Sequence, residues 1–236
     1  MACSSSTSFH AYGDSGLLVE CEGGDAEGRW RLAQHLGREL RDRAPTGMVD
    51  LVASFASVFI SFDPLVVRQE DIERHVLAAA TTSSPVPESR TFHLPVVYGG
   101  QHGPDLSQVA DLLELSSDAL IELHTGQPWV VRLVGSPAGA PLMDGPPMPR
   151  SVPRLTSPRS RLPAGSLGIS GSQSIIYNAP SPGGWQLIGR TPLRLFDIAT
   201  PPHVAYRPGD LIQFVPISTG KWDRWSERSL ATEEAT

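Results

Sequence analysis

Helical periodicity runs through the first half of this chain and stops at Trp129. Trp30, Leu32, Ala33, Leu36 and Leu40 recur at near-helical spacing within residues 26–43, and Ile72, Val76 and Leu77 do so within residues 69–80. Such spacing gathers apolar side chains on one face of a helix. Around these stretches lie β-rich runs at residues 17–21, 49–54, 57–62 and 90–98. The order β-α-β-β-α-β predicts a split βαβ, ferredoxin-like domain over residues 1–97, with two helices on one face of an antiparallel sheet. Right-handed crossovers leave few other topologies.

Residues 98–128 read as a helical connector: two short helices at 105–115 and 116–124, the second capped by Ser116 or Ser117, whose hydroxyls accept first-turn N–H groups. From Trp129 onward, short β runs at 129–134, 166–170, 174–177, 185–190 and 211–215 alternate with turns such as Pro163-Ala164-Gly165 and Arg207-Pro208-Gly209-Asp210. Many short strands with regular turn signals predict a β-barrel or sandwich over residues 129–225. Residues 226–236 carry no apolar pattern and are expected to be a loose tail. The fold class expected is therefore α+β, with an α/β domain first and a β-barrel second.

Several function classes are excluded or disfavoured. A net charge of −6 argues against general nucleic-acid binding, which needs a basic face to displace counterions. Lys221 is the only lysine among 19 basic residues, so no G-x-x-x-x-G-K-[ST] phosphate loop exists. Cys3 and Cys21, the only cysteines, form neither a disulfide framework nor a zinc-ligand pattern. The N-terminus lacks the basic and apolar regions of a signal peptide, and the apolar stretch 51–62 is too short to span a bilayer. A cytoplasmic protein with no membrane or nucleic-acid partner is expected. Gly168-Ile169-Ser170-Gly171-Ser172 fails the G-x-S-x-G pattern at its last position, so nucleophilic catalysis finds no support.

Several ordered motifs carry a resemblance. Tyr98-Gly99-Gly100-Gln101-His102-Gly103-Pro104-Asp105-Leu106 resembles Y-G-G-x-x-G-P-D-L. Pro163-Ala164-Gly165-Ser166-Leu167-Gly168-Ile169, followed by Gln173 and Tyr177, is similar to P-A-G-S-[VL]-x-I…Q…Y. Residues 181–192 match S-P-G-G-W-x-x-I-G-R-T-P, and Gly13–Val19 and Arg207–Asp210 fit at the two ends. Together these resemble the family of B-type 5-oxoprolinase subunits and allophanate hydrolase subunit 1, of the carboxyltransferase subdomain C and D type, over roughly residues 10–218. The resemblance implies an N-terminal α+β domain and a C-terminal cyclophilin-like β-barrel. It also implies a non-autonomous, B-type component that joins a homologous C-type subunit and an A-type subunit. The complex so formed opens 5-oxo-L-proline to L-glutamate with ATP as cofactor; neither metal nor biotin is carried by this chain. Family members also include carboxyltransferase halves of urea carboxylases and a sporulation-kinase inhibitor, so a carboxyltransferase component or a histidine-kinase regulator are the alternatives. One loop departs from the pattern. The family's aromatic G-F-x-P-G-F-x-Y reads Gly135-Ser136-Pro137-Ala138-Gly139-Ala140-Pro141-Leu142 here, which bears on the substrate or the activity.

Candidate site residues follow from their chemistry. The glycine-rich turn of Ser181, Gly183, Gly184 and Trp185 allows backbone N–H groups to approach an anion, or simply makes a tight barrel turn. Arg190 and Thr191 follow one strand later. Among Arg150, Arg154, Arg159 and Arg161, the latter two immediately precede the P-A-G-S segment; a guanidinium grips carboxylate or phosphate with paired hydrogen bonds, or lies in a solvated loop. His124 suits general-base work, although a helix C-terminus also explains a histidine there. His102, in a glycine-rich loop, is the weaker histidine. Gln173 and Tyr177 supply neutral donors for a lactam carbonyl or oxyanion, or ordinary barrel hydrogen bonds. Trp222 and Trp225 are expected to seal the barrel or a partner surface.

Overall fold

The computed structural model describes residues 6–83, 85–226 and 228–230, so Cys3 and residues 231–236 of the expected tail lie outside the described residues. The chain divides into two compact units after Glu88. No helix among the described residues is long and apolar enough to cross a membrane.

The first unit holds β1 (Ser6–Tyr12), β2 (Gly16–Glu22), α1 (Ala26–Asp42), β3 (Met48–Ala53), β4 (Ser57–Phe62) and α2 (Gln69–Ala80). Asp25 starts α1 by accepting the Gly28 N–H at 2.7 Å, a first-turn donor that would otherwise be unpaired. Alternation places Leu17, Val19 and Cys21 of β2, Leu51 and Ala53 of β3, and Val58, Ile60 and Phe62 of β4 in one core. Ala33, Leu36 and Leu40 of α1 and Ile72, Val76 and Ala79 of α2 complete it. Leu77, expected on the apolar stripe of α2, is 49% exposed; Ala79 takes the inward position instead. Burial pushes the Cys21 thiol up to about 11, so it packs as a small apolar group.

The sheet order is β1-β2-β4-β3, antiparallel throughout. The strand expected to complete this sheet from residues 90–98 is not in it. Its edge is taken by β1, which pairs with β2 from Ser6↔Glu22 to Tyr12↔Gly16.

The second unit opens with β5 (Thr91–Tyr98), α3 (Leu106–Leu112) and α4 (Ser117–Thr125). Then come β6 (Trp129–Gly135), β7 (Ala140–Asp144), β8 (Arg159–Leu162), β9 (Ser166–Ser170), β10 (Gln173–Tyr177), β11 (Ser181–Gly183), β12 (Gln186–Arg190), β13 (Leu211–Pro216) and α5 (Trp222–Ser226). Seven strands close into a barrel in the order β10-β7-β6-β13-β5-β12-β9, and β8 and β11 form a separate two-stranded ribbon. β5 runs parallel to β13, from Thr91↔Leu211 to Val96↔Pro216. Closure removes the open edges that a sheet of this size would otherwise present.

The expected boundary at residue 97 therefore shifts to residue 88, because β5 is a barrel strand. The expected connector is part of the barrel unit too: Leu106, Val109, Ala110, Leu113 and Leu120 share one core with Trp129, Val131, Met143, Ile169, Ile188 and Phe214. Ser116 caps α4, its hydroxyl accepting the Ala119 N–H at 3.1 Å. The described end of the chain is docked, not loose, since Leu230 is 2% exposed and its N–H reaches the Arg194 carbonyl.

The altered 135–142 loop is a formed β6–β7 turn, with Ala138 and Gly139 in the left-handed region. Asn178 Nδ2 donates to the Ala138 and Gly139 carbonyls at 2.9 Å each, and the Tyr206 hydroxyl donates to the Gly139 carbonyl at 2.7 Å. Losing the aromatic residues has not cost the loop its anchors.

Candidate functional site

The Tyr98–Leu106 segment leaves β5 through Gly99 and Gly100, both at positive φ, where glycine carries no Cβ penalty. At Gly103 the chain crosses β12 so closely that a Cβ would sit 2.0 Å from the Ile188 carbonyl oxygen. This close passage brings Asp105 and His102 to their partners.

Asp105 occupies the N-cap position of α3 yet makes no side-chain cap bond to it. Its carboxylate accepts two hydrogen bonds from Arg159, at 2.9 and 2.7 Å, and one from the Leu187 N–H at 2.6 Å. The Asp105 N–H in turn donates to the Leu187 carbonyl at 2.9 Å. Asp105 thus ties together the Tyr98–Leu106 segment, β8 and β12. Arg159, expected as an anion grip, spends its fork on this internal carboxylate.

Arg190 is differently placed. Its Nε donates to the Ala164 carbonyl at 2.8 Å, and its guanidinium lies 5.0 Å from the centre of the Trp222 ring. His102 stacks on the same indole at 4.4 Å and 22°. Burial and the neighbouring Arg190 charge both lower the His102 pKa, burial being the larger cause. Burial also lowers that of Arg190. Beside this group, Gly165 approaches Thr191 so closely that a Cβ would meet the Thr191 carbonyl oxygen at 2.3 Å, and the Thr191 N–H donates to the Gly165 carbonyl. The Thr191 hydroxyl is engaged locally by the Leu193 N–H at 3.2 Å.

The glycine-rich turn sits at the other end of β12. That strand runs five residues, Gln186–Arg190, roughly 17 Å when extended. Trp185 packs with Leu162, Tyr177 and Leu187, and the Arg154 guanidinium lies over its ring at 5.7 Å. A Cβ at Gly183 would lie 2.5 Å from the Tyr177 hydroxyl, and Gly184 rests on Pro158. Gly183 serves close packing, whereas a Cβ at Gly184 would make only ordinary contact with Pro158. The Ser181 hydroxyl is buried without a hydrogen-bond partner among the described residues. Burial raises the Tyr177 pKa, with a backbone hydrogen bond at Trp185 and the Arg154 charge acting against it. Arg161 is exposed on β8.

His124 is neither at a mouth nor in solvent. It is 0% exposed and packs against Trp129 at 4.7 Å and Phe214 at 4.5 Å, with both ring pairs tilted. Burial lowers its pKa to about 3, so the ring is neutral. The Tyr98 hydroxyl donates to His124 Nδ1 at 2.9 Å; the Ser174 hydroxyl lies 3.4 Å from Nε2 and itself donates to the Gly168 carbonyl. Burial holds the Tyr98 hydroxyl protonated, as this chain of bonds requires. Gln173 is engaged elsewhere, donating to Asp144 at 2.9 Å, which also pairs with Arg132. The Arg207–Asp210 turn is a clamp: buried Asp210 accepts from the backbone and side chain of Arg90 and from the Arg207 N–H.

The candidates thus separate into a stacked group (Arg190, Trp222, His102), a packed glycine turn around Trp185, an internal ion pair, and a buried histidine. Trp222, expected as a seal, and His102, expected as the weaker histidine, are what accompany Arg190. Asp105 enters the sequence reading only as part of the Y-G-G-x-x-G-P-D-L segment and as the first residue of a helical run, with no role in a site.

Comparisons with known proteins agree with the architecture. The chain is 36% identical over 196 residues to the B-type subunit of 5-oxoprolinase from Bacillus subtilis, covering 78% of this chain and 81% of that one. Urea amidolyase of Saccharomyces cerevisiae is 26% identical over 257 residues, a match spanning 93% of this chain but 14% of that protein. The crystal structure of TTHA0988 superposes with a TM-score of 0.75 at 29% identity, covering 86% of this chain and 40% of the other. Residues 7–205 match the carboxyltransferase domain, subdomain C and D, and the chain belongs to that family.

Proposed function

We propose that this chain is the B-type component of an ATP-dependent 5-oxoprolinase, opening 5-oxo-L-proline to L-glutamate in complex with A- and C-type partners in the cytoplasm. The observation that carries this reading is the match to a B-type 5-oxoprolinase subunit across 81% of that protein's length. Chemistry favours a shared site. A five-membered lactam is an unactivated amide, and the one serine–histidine contact described in the barrel, Ser174 with His124, has no exposed surface. What this chain's side chains supply is binding and orientation; ATP and the remaining chemistry belong to the assembled complex. On this reading the barrel is of the cyclophilin-like kind. The first unit is a split βαβ, ferredoxin-like arrangement whose outer strand comes from the chain's beginning.

The similarity to urea amidolyase supports one alternative, a carboxyltransferase half that serves a biotin-dependent urea carboxylase. Mixing the chain with A- and C-type 5-oxoprolinase subunits separates the two. The proposed function predicts glutamate release from 5-oxoproline that stops when ATP is withheld. A silent mixture, or carboxylation of urea when a biotin carrier and bicarbonate are supplied instead, would reject it.

A further inference from the structure

The barrel unit contains three half-buried arginines among its described residues, Arg132, Arg159 and Arg190. Arg132 faces Asp144 and Arg159 faces Asp105. Arg190 has no carboxylate partner among the described residues; only its Nε is engaged, by the Ala164 carbonyl. A guanidinium drawn out of water without a counter-charge is costly unless an anion completes it. Both terminal nitrogens of its fork remain for such an anion, in the paired geometry that suits a planar carboxylate.

His102 adds a second, independent observation. It is only 9% exposed, and its one side-chain hydrogen-bond contact is Gln101 Nε2 at 3.4 Å from its Nε2. With Gln101 Nε2 as the donor, His102 carries its proton on Nδ1, a nitrogen with no partner among the described residues. The ring and the Arg190 guanidinium lie against the same indole. One fixed cation, a neutral donor and an aromatic wall suit a small monoanion that also carries an acceptor. A polyphosphate would call for several cations or a glycine nest.

We propose that Arg190, Trp222 and His102 form a binding site for a small carboxylate, with Arg190 gripping the carboxylate oxygens and His102 donating to the ligand from Nδ1. The 5-oxoprolinase reading enters only in naming the ligand, a cyclic or open-chain amido or amino acid such as 5-oxoproline or glutamate.

Calorimetric titration of the full chain, alone and in the assembled complex, with 5-oxoproline, glutamate and inorganic phosphate tests the site. Saturable binding of a carboxylate is expected, weakened about 10- to 100-fold by Arg190→Gln, the loss of a charged hydrogen-bonding fork. Arg190→Lys keeps the charge without the fork and should fall between. His102→Ala should weaken binding several-fold, with His102→Gln restoring part of it. Arg74→Gln, a surface change in the first unit, should leave binding unchanged. Thermal melts of each variant identify any that fail to fold, in which case Arg190→Lys decides. Absence of Arg190-dependent binding of every probe in both states overturns the site, and Arg190-dependent binding of phosphate alone overturns its assignment to carboxylates. Intact carboxylate binding in a complex that releases no glutamate would sink the 5-oxoprolinase reading and leave the site standing.

Discussion

Replacing Asp105 by alanine is expected to destabilise the protein by about 3–5 kcal/mol, the usual cost of stripping one partner from a buried ion pair. The Asp105 side chain is 7% exposed and that of Arg159 32%, so the remaining guanidinium would be left largely out of water. The Leu187 N–H would lose its acceptor as well. Chemical denaturation reads the effect as a lowered midpoint at an unchanged slope. The double variant Asp105→Ala/Arg159→Met removes the stranded charge and should recover a large part of the loss. If it is no more stable than Asp105→Ala, the ion pair is not what Asp105 contributes, and the Leu187 hydrogen bond carries the effect.

The second large effect is an acid-side loss of stability caused by His124. Its folded pKa is depressed from 6.5 to about 3 by burial. The unfolded chain therefore binds a proton on this residue between those values while the folded chain does not. Stability from this source is complete above pH 6.5 and falls as the pH drops towards 3, by roughly 1.4 kcal/mol per pH unit in that window. Urea unfolding between pH 7 and pH 4 should show this slope beyond what the carboxylates contribute. His124→Asn, which cannot titrate, should be less stable at pH 7 because it loses the ring packing against Trp129 and Phe214. Its acid limb should be correspondingly flatter. An unchanged limb would mean that the histidine is hydrated in solution.

These two residues also show what local sequence can and cannot convey. The helices at Ala26–Asp42 and Gln69–Ala80 were legible because their cores draw on residues three and four apart in sequence. β1, with the sequence STSFHAY, was not: Phe9 is its one large side chain packed against the core, and polar residues dominate the rest. The β5 strand was legible as a strand but not as a barrel member, since its partner β13 lies some 120 residues downstream. No local pattern encodes a pairing at that separation. The same holds for the site. Arg159 reads as an anion grip until its partner, 54 residues earlier, is known. His124 reads as a helix-end histidine, whereas barrel closure around it makes it core. Arg190 has no carboxylate partner among the described residues, and its companions Trp222 and His102 come from distant segments that only the fold brings together.

On the proposed function, this chain contributes to turnover as one indispensable part of an assembly. Titrating it into fixed amounts of the A- and C-type subunits, with 5-oxoproline and ATP in excess, measures that claim in the rate of glutamate formation. The rate is predicted to start at zero, climb in proportion to added chain and level off at a fixed stoichiometry, with none from the chain by itself. A rate indifferent to the amount added, or turnover by the isolated chain, would contradict it.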